Sequence, residues 1–154
     1  MPSVRRALIN CRKFERLSAT DRRLFLQAIV ILPITSMALR LAGFRRCHVL
    51  LMHLVRRREQ HPTDPEDRRR LSRAIARVVR LAASYGPWRP KCLAEALVLW
   101  SLLRTQGLEG EIVIGVHKSD RDFQAHAWVT FGELSLSRNG NCDGWFVTFG
   151  RPIL

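Results

Sequence analysis

Between Lys91 and Gln106 the chain is apolar on almost every side of a helix. Leu93, Ala94, Ala96, Leu97, Val98, Leu99, Trp100, Leu102 and Leu103 leave no broad polar face. A helix of that kind has to be enclosed, so it belongs at the centre of a domain. Gly107 is its expected stop, because glycine readily takes the left-handed conformation that ends many helices. The period then changes. Residues 111–116 are rich in β-branched side chains, 123–131 alternate, and 134–138 and 145–149 are shorter strand candidates separated by polar, glycine-bearing turns. A buried central helix packed on an antiparallel sheet, here expected as a meander, with more helix in front is an α+β arrangement.

The N-terminal half supplies that helical extension. Residues 1–17 are basic, lack a sustained period and are expected to be frayed or loosely docked. Ser18 and Asp21 form a capping-box variant, which places a helix start near residue 19. This helix is expected to reach about Leu41, to bend at Pro33 and to end at Gly43. A second helix follows over 44–58, then a turn-rich linker over 61–65. A third helix starts at Asp64 or Pro65, with Leu71, Ile75, Val78, Val79 and Ala82 at helical spacing on its buried side. Arg69, Arg73, Arg77 and Arg80 fall on the other side, as a solvated face or as a surface for an acidic segment. A helical region over 1–85 and a core over 86–154 are expected to share one domain, as a length of 154 residues suggests.

The net charge is +13 and almost wholly arginine, since only Lys13, Lys91 and Lys118 are lysines. Such an excess favours acidic partners. No nucleic-acid motif accompanies it, so nucleic acid stands behind a peptide as the expected partner. The apolar run Leu24 to Leu39 spans 16 residues and contains Gln27, Pro33, Thr35 and Ser36. That is short of the ~20 apolar residues a membrane span needs. Core burial is the expectation, with peripheral membrane contact or a partner-facing helix as the other readings. Cys11, Cys47, Cys92 and Cys142 form no CxxC or CxxH pair, so neither zinc nor another cofactor is expected. No signal-peptide cleavage site follows the basic N-terminus, which points to a reducing cytoplasm and free thiols.

Cys92 follows Pro90 and Lys91 and is expected in the first turn of the central helix. Unpaired N–H groups and about half a positive charge at a helix start favour a thiolate there, and Lys91 adds to this. The bland alternative is a small buried hydrophobe. His126 lies 34 residues further on, within Phe123-Gln124-Ala125-His126-Ala127-Trp128-Val129. Alternation puts Phe123, Ala125, Ala127, Val129 and Phe131 on the core face and Gln124, His126, Trp128 and Thr130 on the other. Two alanines beside His126 give it room to approach another group. A thiol and an imidazole are the two parts of a cysteine nucleophile. A third group should orient the imidazole. No carboxylate lies about a dozen residues on, so Asp143 and Asn139 are the candidates. The backbone N–H of Cys92 is the expected oxyanion donor, with the Trp88 indole or Gln124 as the second. Trp88, Gln124 and Trp128 are the candidate substrate contacts, with packing open to each. His48, His53, His61 and His117 read as surface or packing groups.

Taken together, Cys92-Leu93-x-x-Ala96-Leu97-x-Leu99, Leu102-Leu103-Arg104-x-x-Gly107, Ile114-Gly115-Val116-x-Lys118 and Phe123-x-Ala125-His126-Ala127-Trp128-Val129 resemble the lasso-peptide maturation proteases. These are small transglutaminase-like cysteine proteins whose order, Cys on a helix and then His on a strand, is also papain-like. Leu17-Ser18-x-x-Asp21-Arg22-Arg23 and the apolar helix after it are similar to the stand-alone form. The resemblance implies a transglutaminase-like fold and removal of a leader from a ribosomally made precursor. Cys92 would be the nucleophile, His126 the base and then the acid, and an aspartate the third member. It implies three partners: the precursor with its leader, a small leader-recognition protein, and a cyclase that closes the macrolactam ring. The chain departs from the family pattern at the third member. An amide or acyl transferase on the same fold, or a non-catalytic basic module for leader peptide or nucleic acid, are the rival readings.

Overall fold

Ser18 caps the first described helix of the structure, a computed structural model that describes residues 18–55, 64–85, 90–118, 123–136 and 147–148. The Asp21 amide donates to the Ser18 hydroxyl at 3.2 Å, satisfying one of the donors every helix start leaves open. Helix α1 (Ala19–Leu54) runs 36 residues. Its helical backbone passes through Pro33, where a bend was expected, and breaks at Gly43 (φ 76°), a conformation glycine takes without steric cost. The two helices expected on either side of Gly43 are both present, joined without a gap at this glycine kink, and the second ends at Leu54 rather than near residue 58.

Helix α2 (Pro65–Tyr85) starts with proline at its first position, where no backbone donor is needed. The Asp64 carboxylate accepts from the Glu66 amide at 3.4 Å. Its buried side carries Ile75, Val78, Val79 and Ala82 as expected, joined by Ser72, Ala76 and Ala83. Helix α3 (Cys92–Thr105) is the apolar one, and every residue from Ala96 to Leu103 is buried. Gly107 ends it as expected, at φ 74°. Its N–H bonds to Arg104 O and that of Leu108 to Leu103 O, each at 3.0 Å, and the Leu103 and Leu108 side chains are both buried. This pairing of bonds is a Schellman motif.

The sheet holds β1 (Glu111–Lys118), β2 (Phe123–Phe131), β3 (Leu134–Ser135) and β4 (Val147–Thr148), all antiparallel, in the order β3-β2-β1-β4. The first three strands form the expected meander. The fourth does not extend it: β4 pairs with β1 at the opposite edge, Gly115 facing Thr148 and Val116 facing Val147. A two-residue β3 offers almost no ladder, whereas β1 has an eight-residue edge to pair with.

One buried cluster joins the elements. It takes Leu24, Phe25, Ala28 and Leu32 from α1, Ile75, Val78 and Val79 from α2, Leu97, Val98, Leu102 and Leu103 from α3, and Ile112, Ala127 and Val129 from the sheet. Helix α1 is long and apolar enough to cross a membrane by length and composition, although one face is committed to this core. Its other face is not. Leu26 and Val30 are each 58% exposed, Ile34 60%, Met37 63% and Leu41 83%.

Gly110 leads from α3 into β1. A Cβ there would stand 2.8 Å from Val129 Cγ1 and 3.0 Å from Leu103 Cδ1, both in the core. Gly110→Ala should therefore lower stability by about 1–3 kcal/mol, the usual cost of overpacking. Urea denaturation would read this as a lower midpoint at unchanged slope.

Candidate active site

Cys92 is the first residue of α3. Lys91 before it is extended (φ −68°, ψ 153°) and gives the helix no side-chain cap. Its carbonyl accepts from the amides of Ala94 and Glu95, at 2.9 and 3.2 Å. The thiol is half-buried and reaches across to the sheet, donating to the Ala125 carbonyl oxygen at 4.0 Å. His126 is the next residue of β2. Cys92 and His126 line the same cavity, of about 120 Å³, together with Pro90, Glu95, Leu99, Trp128 and Leu136.

The position of this cavity follows from the ladder. Carbonyls of alternate residues in a strand point to the same edge. The Val129 carbonyl accepts from the Leu136 amide at 2.9 Å, so Val129 turns its carbonyl toward the β3 side. Ala125, four residues earlier, turns its carbonyl the same way. Among the described residues β3 pairs with Thr130 and Phe131, and the Ala125 carbonyl accepts from the Cys92 thiol. On the other side His126 stands opposite Gly115, which carries no side chain. The space expected from Ala125 and Ala127 is thus enlarged from the neighbouring strand.

The face assignment along β2 holds from Ala127 onward and fails at Ala125. Ala127 and Val129 are in the core and Phe131 packs half-buried against it, but Ala125 is exposed. The second face is not open either. Trp128 is only 3% exposed, its ring stacked with His126 at 5.9 Å between centroids and 23° between planes. Trp128 is a wall of the cavity. Gln124 is described as backbone only, and Trp88, Asn139, Cys142 and Asp143 lie outside the described residues.

Burial pushes the His126 imidazole below its ordinary value of 6.5. The neutral ring, the form that accepts a proton, is favoured as a result. His48 is buried between Phe44 and Trp100, at 5.8 and 4.7 Å between ring centroids. Its imidazole is also lowered, by burial first and by the Arg104 guanidinium second. Cys47 is buried in the core, which raises its thiol. Among the described residues no group of three or more His, Cys, Asp or Glu side chains could hold a metal ion.

Two charged residues of the cavity were not singled out for it by sequence. Glu95 stands three residues after Cys92, on the same side of α3. Arg80 was read with the outward stripe of α2, yet it is half-buried, lines the cavity and donates to the Leu136 carbonyl at 3.4 Å. The signal was the spacing: Arg80 adjoins Ala76 and Val79 on the helix, and both line the cavity with it.

A family model described as Transglutaminase-like superfamily matches residues 32–142, which include Cys92 and His126. The chain belongs to the transglutaminase-like superfamily. Its members are typically cysteine-based enzymes, peptidases and transferases among them, and the α+β architecture, three helices and a small antiparallel sheet among the described residues, agrees with that membership. No curated protein and no solved structure matches the chain.

The two lowered histidines give stability a pH dependence of definite sign. Below 6.5 the unfolded chain takes up protons that the folded one does not, so stability falls as pH drops from 6.5 through the lower folded-state values. Urea midpoints at pH 7.5 and 5.5 should show this loss in the parent protein. It should be smaller in His126→Gln and in His48→Gln. Equal losses in all three would contradict the burial argument.

Proposed function

We propose that this protein is a cysteine peptidase that removes the leader from a ribosomally made lasso-peptide precursor in the cytoplasm. The observation that carries the reading is the joint placement of Cys92 and His126 in one cavity, with the thiol against the backbone beside the imidazole. In this reading Cys92 Sγ attacks the scissile carbonyl carbon and its proton passes to His126. The S–C bond forms and the carbonyl oxygen becomes an oxyanion, held by the uncapped amides at the start of α3. The C–N bond then breaks, and His126 returns the proton to the departing amine. Water attacks the remaining thioester, His126 takes its proton, and the C–S bond breaks to release the acid and the thiol. Asp143, or Asn139 in its place, would hold the imidazole in orientation.

The apolar face of α1 supports docking of a leader-recognition protein. Leu26, Val30, Ile34, Met37 and Leu41 follow one another at spacings of three and four, and the exposed Arg22, Arg23, Arg40 and Arg45 stand at the two ends. Two copies joined through this face would bring arginines together whether parallel or antiparallel. The fitting occupant is a different protein, with an apolar seam between acidic ends. A cyclase would then act on the freed core peptide.

Cys92→Ala should lower precursor cleavage by about three orders of magnitude or more while leaving the far-UV spectrum unchanged. Mass spectrometry of the precursor incubated with this protein and the recognition protein reads the result. Retained cleavage would exclude the thiol mechanism, and an amine-adduct mass on adding a primary amine would favour acyl transfer. In the parent, the acid limb of kcat/KM should fall below pH 6.5, following the lowered His126. Ile34→Glu with Met37→Glu should abolish co-elution with the recognition protein at an unchanged urea midpoint, since both side chains already face solvent.

A further inference from the structure

We propose that Arg69, Arg73 and Arg77 form a track along α2 that guides an acidic stretch of the substrate to Cys92, with Arg80 as its last member at the cavity wall. The inference rests on the peptidase reading and adds the chemical class of the substrate segment. Spacings of four, four and three keep these arginines on one side of α2. Arg69, Arg73 and Arg77 are exposed, whereas Arg80 turns inward to the cavity that Cys92 and His126 line. The row is therefore continuous from open solvent to the candidate nucleophile.

A merely solvated face accounts poorly for its composition. The helical neighbours of Arg73 at three and four residues are Arg69, Arg70, Ala76 and Arg77, and those of Arg77 are Arg73, Ala74, Arg80 and Leu81. Like charges at i,i+4 destabilise a helix, and no acid sits at either spacing to relieve them. Of the two acids in the first turn, Asp67 stands six residues before Arg73, and Glu66 pairs with Arg70 at 3.6 Å. Among the described residues no ion pair involves Arg69, Arg73 or Arg77. An acidic segment laid along the row would remove the repulsion. From Arg69 to Arg80 the track is about 16 Å long at 1.5 Å per residue, which matches about five residues of extended peptide. The acidic positions should thus fall within about five residues of the bond that meets Cys92.

The test uses Cys92→Ala protein, so that binding is read without turnover. The probes are a fluorescein-labelled Glu-Ala-Glu-Ala-Glu-Gly-Gly peptide, its Gln counterpart, and a single-stranded oligonucleotide of equal charge, followed by anisotropy at low and high salt. The acidic peptide should bind about tenfold tighter than the Gln peptide at low salt, and the difference should vanish in Arg73→Gln with Arg77→Gln but persist in the paired Arg→Lys variant. Equal binding of both peptides, or a double variant indistinguishable from its parent, would overturn the track. So would an oligonucleotide that binds tighter than the peptide and is lost on the same substitutions, because the surface would then serve nucleic acid. Absence of precursor cleavage by the parent protein is a separate readout, and it would remove the peptidase reading without changing these binding results.

Discussion

Everything at the cavity depends on the enclosure of α3. Leu97, Val98, Leu102 and Leu103 are each at most 1% exposed, held between α1, α2 and the sheet. Burying a side chain of this size stabilises the fold by roughly 1.5–3 kcal/mol, so the helix cannot slide or turn without exposing several at once. Its far end is fixed as well, by the two Schellman bonds at Gly107 and Leu108. A helix held along its body and at its C-terminus presents its first residue at one place only. The apolar body of α3 thus positions the thiol, and its buried Ala96 and Leu99 line the same cavity.

The sheet does the complementary work through its ladder. Ala125 turns its carbonyl to the same edge as Val129, and there it accepts from the Cys92 thiol. Eight residues of β1 secure the other side of His126. Gly115 opposite His126 keeps that secured side from crowding the ring. The imidazole is therefore placed by backbone pairing with β1, lines the cavity, and has Trp128 stacked against it.

What the sequence made legible was local. The Ser18 cap, the proline start of α2, the glycine stop of α3 and the buried side of α2 each depend on residues within one or two turns, and each appears as read. The all-round apolar helix announced its own enclosure. The edge chosen by β4 was not legible, because it turns on which strand offers the longer ladder, a property of the assembled sheet. Arg80 was misread for a related reason. On helical spacing alone it continues Arg69, Arg73 and Arg77, and only the packing of α2 against the cavity shows that the row's last member has turned from solvent to wall. Ala125 failed as a core residue because alternation says which way a side chain points, not whether anything lies there to cover it.

A cavity of about 120 Å³ holds little more than one side chain of a substrate. Such a site can select the residue beside a scissile bond, but it cannot distinguish a precursor from the other peptides of a cell, since one pocket contributes only a few kcal/mol of discrimination. Selectivity must therefore come from surfaces outside it. The described structure has two with the needed character on elements that pack against α3: the unpartnered apolar face of α1 and the arginine row of α2. They differ in what they can read. An apolar seam recognises a folded partner by shape, and a charge row recognises an extended chain by sign. A partner seated on α1 raises the local concentration of the peptide it carries, and the row on α2 then needs only modest affinity to align that peptide with Cys92. Division of labour of this kind lets a shallow cavity serve a selective reaction, and it places the burden of recognition on the helices that the core leaves exposed.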